Sequence, residues 1–195
     1  MTPFSGWPDL VFAALSILIA AYFAAQLVRT WPSRDAIALS GHATHLVMAL
    51  GMAAMFAPAL DPFPRTMWLV LFVLAGAWSL SALPHVAAAP GGLWGSGRRH
   101  HLHAVVSCAA MVVMLTSIDP PAGAAASGEH VHGGSGGSAT PLLALFALYF
   151  VGHAALSGVS VVGAGKRLSG GSHLVMGLGM GAMFASMVVA RATFA

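Results

Sequence analysis

Histidine and methionine stand in this sequence at the spacing that a single helix face requires. Residues i, i+3, i+7 and i+10 share a face because successive positions are about 100° apart. His45, Met48, Met52 and Met55 follow that spacing, and His173, Met176, Met180 and Met183 repeat it, with Met187 extending the second stripe. A third stripe runs through His100, His103, Ser107, Met111 and Met114, with Cys108 off its centre. Thioether sulfur is soft and uncharged and favours Cu(I), whereas imidazole accepts copper, zinc or iron. A row of such groups offers a soft ion successive weak sites. His130 and His132 stand two apart in a Gly-rich stretch and are expected to capture Cu(II) or Zn(II).

The elements that position these stripes are read as membrane helices. The chain has 195 residues, 58% hydrophobic and 7% charged, where a soluble domain carries about 25% charge. So little charge cannot cover a water-facing surface. A soluble enzyme domain, a disordered chain and a nucleic-acid binder are excluded on that ground. Six segments reach the roughly 20 mostly apolar residues that a bilayer requires: 9–30, 36–60, 66–87, 100–118, 141–163 and 170–192. Proline, glycine and charge punctuate the gaps between them. The expected fold is all-α, a polytopic membrane protein of six transmembrane helices in a single membrane domain over 1–195. The Gly/Ala/Ser-rich stretch 119–140 is expected to be a flexible extracytoplasmic loop.

The net charge of +3 bears on orientation and names no partner. Arg29, Arg34, Arg98, Arg99, Lys166 and Arg167 lie at the turns after spans one, three and five, and only Arg65 and Arg191 fall on the other side. By the positive-inside rule both termini lie outside the cytoplasm, in the inner membrane of a bacterial cell. The first span lacks a basic leader and is expected to be retained. Cys108 is the sole cysteine, so no internal disulfide can form. Trp7, Trp31, Trp68 and Trp94 read as interfacial anchors, and His42, His85 and His101 as residues at headgroup level.

The segment from His45 to Phe56 and that from His173 to Phe184 differ only by Ala-to-Gly exchanges. The preceding spans correspond as well: Tyr22-Phe23 begins 23 residues before His45, and Tyr149-Phe150 begins 24 before His173. Gln26 takes the place of His153. His85 and His103 provide a looser middle pair. The helices are therefore expected to form three repeated helical hairpins, each with a basic turn. The Gly177–Gly181 pair predicts close helix packing beside the second stripe.

Methionine is also an ordinary filler of apolar helices, and a stripe at helical spacing is commonly packing. Two observations favour ligands. Nine of the ten methionines after Met1 lie in spans two, four and six, Met67 being the exception; simple filling would spread them. Histidine inside a membrane also costs free energy and marks function by default. The leading expectation is a protein that binds Cu(I) along a His/Met-lined intramembrane path, for transport, delivery or homeostasis. The alternative is a haem-b cytochrome exchanging electrons with quinone, its axial ligands drawn from His45, His85, His103, His153 and His173. A third reading is a structural or partner protein without cofactor. The expected partners are the lipid bilayer, an extracytoplasmic metal donor or acceptor protein and, in an oligomer, further copies of the chain. No acidic residue lies in the interior of a span, so a carboxylate proton relay is absent; the sequence has no P-loop, no Gly-x-Ser-x-Gly and no His-Glu-x-x-His, and enzymatic activity is not expected.

The two His-Leu-Val-Met-x-Leu-Gly-Met-x-Ala-Met-Phe segments stand in a six-span, Ala/Gly-rich chain of this size. In this the chain resembles an actinobacterial integral-membrane family classed as a domain of unknown function (number 5134). The resemblance covers nearly the whole chain and rests on His45, Met48, Met52 and Met55 and their copies His173, Met176, Met180 and Met183. It implies the fold and the membrane location, and the family name implies no activity.

Overall fold

The computed structural model describes residues 6–87, 96–117, 139–163 and 167–194. Among the described residues there are six α-helices and no strand: α1 (Trp7–Thr30), α2 (Ala36–Phe56), α3 (Arg65–Ala87), α4 (Ser96–Ser117), α5 (Ala139–Gly163) and α6 (Arg167–Phe194). All six are long and apolar enough to cross a membrane, and the protein is a multi-pass, all-α membrane protein.

The helix ends follow from local chemistry. Pro8 sits in the first turn of α1, where a missing N–H costs nothing. After Thr30 the chain tightens into a single 3₁₀ turn over Trp31–Ser33. Arg34 then adopts a left-handed conformation (φ 53°), and the Asp35 carboxylate accepts from the N–H groups of Ile37 and Ala38, capping α2. The other end of α2 lies earlier than the span 36–60 implies. Ala57 precedes Pro58, which disfavours the helical region for it; Ala57 takes φ −129° and ψ 68°, and α2 stops at Phe56. By composition residues 139 and 140 belong to the loop, but α5 already begins at Ala139, with Pro141 in its first turn. The rest of that loop lies outside the described residues, as does Trp94.

The chain divides into two compact units, Thr2–Val112 and Val113–Ala195, and the division falls within α4. In the first unit α1 packs along α2, and α2 against α3. Phe12 stacks on Phe56 at one end of the α1–α2 hairpin (ring centroids 5.1 Å), and Phe23 lies on His45 farther along (4.9 Å). Thr44 and Ser79 share a buried hydrogen bond of 3.0 Å that pins α2 to α3. Gly51 leaves the space that the Phe72 ring occupies. Trp68 does not anchor at an interface: it is 5% exposed, and its indole N–H donates to the Asp61 carboxylate. Trp7 and Trp31 remain exposed.

The second unit is built on the hairpin of α5 and α6. Gly177 and Gly181 provide the close contact that their spacing predicts. A Cβ on Gly177 would stand 3.1 Å from Ala154 Cβ and 3.2 Å from the Phe150 carbonyl, and one on Gly181 would stand 3.2 Å from Val151. Arg191 Nη2 donates to the carbonyl of Ser117 (3.1 Å), placing a cation at the C-terminus of α4.

The two hairpins repeat in sequence yet pair in different registers. In the first, Phe23 is level with His45. In the third, Phe150 instead stacks on Phe184 (5.8 Å), eleven residues beyond His173. With Gly177 opposite Ala154, α6 is slid along α5 by about two turns, ~11 Å, relative to the first hairpin. The ends of the first helix of each hairpin differ as well. Trp31-Pro32 ends α1, whereas Val159 stands at the place of Pro32 and lets α5 run on to Gly163.

Candidate functional site

In the unit Thr2–Val112, α2 and α4 face each other through imidazoles. The ring of His100 stacks on that of His45 with centroids 4.5 Å apart and planes 19° apart, and His103 lies 6.4 Å from His45. His45 is 0% exposed and His103 is also buried. His45 Nδ1–H donates to the carbonyl of Gly41 one turn earlier (2.7 Å). Since a carbonyl can only accept, this bond sets the tautomer and leaves Nε2 as the lone-pair nitrogen, the arrangement that backbone carbonyls impose on metal-binding histidines. Gly41 acts a second time: a Cβ there would stand 2.9 Å from His100 Nε2. Phe23 also lies against His45, with ring centroids 4.9 Å apart and planes tilted by 31°.

From this imidazole group the thioethers continue along the helices. Met48 and Met52 on α2 and Met111 on α4 are each 0% exposed. Met114, farther along α4, is buried as well, and Met55 at the end of α2 is half-buried. The residues with the ligand spacing therefore face protein, while Leu50 and Leu102 face outward on the same helices, as do Leu74 and Leu80 on α3. Cys108 is buried against Gly76, where a Cβ would stand 3.1 Å from its own.

The residues assigned to headgroup level part ways. His85 is exposed on α3. It is not brought into a shared buried setting with His103, the partner that the haem reading would give it. His101 is 1% exposed, and its ring meets His100 edge-on at 5.7 Å. Its position near Arg99 hides this in the sequence, because the helix rotates His101 away from its charged neighbour. Nδ1 of His101 and Nδ1 of half-buried His42 are enclosed without a hydrogen bond. A buried polar nitrogen left so costs about 1–3 kcal/mol unless an ion or water meets it.

In the unit Val113–Ala195 a second group forms. His153 and His173 meet edge to face at 6.2 Å, and Tyr149 stacks on His153 at 6.2 Å. In the first hairpin Gln26 stands where His153 does and instead donates to Tyr22 Oη (3.0 Å). Met176 and Met180 are buried, and Met183 is half-buried beyond them. His130 and His132 lie outside the described residues.

Residues 37–187 match the family described as Domain of unknown function (DUF5134). The chain belongs to that family. The DUF5134 match takes in all three His/Met stripes, and α1 lies ahead of it. No curated protein and no solved structure matches the chain.

Proposed function

We propose that this protein binds a soft transition metal, Cu(I), along a His/Met-lined path within the membrane, in transport, delivery or homeostasis of the ion. The observation that carries the reading is the burial of Met48, Met52 and Met111 beside the imidazoles of His45, His100 and His103 in one unit. Methionines that only filled a core would need no buried imidazoles beside them, and histidine inside a membrane costs free energy that a ligand role offsets. The ligands of the reading are His45, Met48, Met52, Met55, His100, His103, Met111 and Met114, together with His173, Met176, Met180 and Met183. Imidazoles hold the ion at one end and thioethers pass it toward the other. The charge asymmetry puts the imidazole end toward the cytoplasm of a bacterial cell, with both termini outside its inner membrane. His130 and His132 would capture the ion on the outer side, from an extracytoplasmic donor protein, or release it to an acceptor.

Haem b is the second reading, and the facing of His153 and His173 is what favours it. Against it stands the close approach of α5 and α6 at Gly177, one turn from His173, which a macrocycle would have to part. One experiment separates the two. Protein purified in detergent is examined by visible spectroscopy and metal analysis, then titrated with Cu(I) against a chromophoric chelator. The expected result is a colourless protein that takes up Cu(I), and a Met48→Leu, Met52→Leu, Met176→Leu, Met180→Leu variant that no longer does. A Soret band would establish haem, and equal Cu(I) uptake by the variant would refute the path.

A further inference from the structure

Away from the histidines, the first unit holds a recess of about 350 Å³, at the end of the α1–α2 hairpin remote from its turn. Ala13 and Ala14 on α1 and Ala53 and Ala54 on α2 form its walls. At the same level Phe12 stacks on Phe56 and acts as a spacer between the helices, so the four methyl side chains leave a gap that larger residues would close. Trp68 also lines it.

What fills such a gap depends on its walls and on the solvent outside. All of the side chains that line it are apolar except for the Trp68 indole, whose N–H is already engaged by Asp61. Water would find no partners there. An empty gap would forfeit the dispersion contacts of every wall atom. The rim settles the choice: Leu10, Ile17 and Leu50, which border the recess, are 64%, 54% and 42% exposed and belong to the lipid-facing surface of α1 and α2. The recess is continuous with that surface and opens to hydrocarbon. Its volume lies at the low end of the range of about 300–1,000 Å³ for ligand sites, which suits one flexible chain better than a ring system.

We propose that this recess is a lipid site that holds one acyl chain of a bilayer phospholipid between α1 and α2. The site is independent of any metal. The chain fills the gap between the alanines, and the headgroup end lies toward Asp61, the acidic residue of the connection between α2 and α3.

The test is reconstitution into vesicles of phosphatidylethanolamine and phosphatidylglycerol doped with a phosphatidylglycerol that carries a diazirine on one acyl chain. After irradiation the adducts are mapped by peptide mass spectrometry. The expected map concentrates adducts on Ala13, Ala14, Ala53 and Ala54, about tenfold above Leu145 and Leu148, which face outward on α5. A variant with the recess filled, Ala14→Phe with Ala53→Leu, is expected to lose that excess while keeping the α5 labelling. Even labelling of all outward faces in the unaltered protein overturns the proposal, whether or not the filled variant folds. So does unchanged labelling in a folded variant, or native mass spectra in which the retained molecule is an isoprenoid.

Discussion

Gly41 touches two histidines at once. Its carbonyl accepts from His45 Nδ1–H, and its missing Cβ leaves room for His100 Nε2. Gly41→Ala keeps the carbonyl and forces His100 away, so it separates the two roles. Cu(I) affinity is expected to fall about tenfold, the lower end of what an outer-shell change costs a metal site. Helix content should be unchanged by circular dichroism. Equal affinity in a competition titration would place His100 outside the site. Cys108 is the other telling single residue. It is 2% exposed, packed on Gly76, and a maleimide is expected to leave it unmodified until the protein unfolds. Rapid labelling of the folded protein would show that the α3–α4 contact opens.

Helix pairing is the next scale, and there the third hairpin differs from the first. Replacing Ala154 and Gly177 together by cysteine should give a disulfide, because their Cβ positions, 3.1 Å apart, lie close to the 3.5–4.5 Å that the bond prefers. Leu27 and Ala49 hold the equivalent places in the first hairpin, and the same pair of changes there should give none. Crosslinking of both pairs, read by gel shift after protease cleavage between the helices, would deny the slide of α6. Gly177→Leu is expected to cost about 1–3 kcal/mol by overpacking against α5, seen as a lower unfolding temperature. The same change at outward-facing Gly152, where a Cβ meets nothing within 4 Å, should be nearly silent.

For the molecule as a whole, the charge asymmetry makes a prediction about sidedness. In a Cys108→Ser background, Ser33→Cys lies in the basic turn after α1 and Pro62→Cys in the loop after α2. In intact cells an impermeant thiol reagent is expected to label the second and spare the first. The reverse pattern would turn the protein over and reverse the direction of the proposed path.

Much of this molecule is legible in its sequence. Six spans follow from the hydropathy, because hydrocarbon tolerates no exposed backbone and so demands helices of a fixed length. The inward face of α2 and α6 follows from the His/Met spacing, since methionine stripes at a helical period must share one side. The boundary at Phe56 is set by Pro58, four residues short of where the apolar run ends. Other features are invisible along the chain. That His100 stacks on His45, that Gly41 serves both, and that His101 is enclosed while His85 is exposed depend on which helices meet and at what rotation. The near-identity of the first and third hairpins conceals a difference of two turns in how they pair. Sequence by itself determined what each helix is and which side of it turns inward, because period and solvent preference are local properties. The tertiary structure alone decided which groups meet across helices, because register and rotation are set by the packing of glycines, alanines and rings against neighbours distant in the chain.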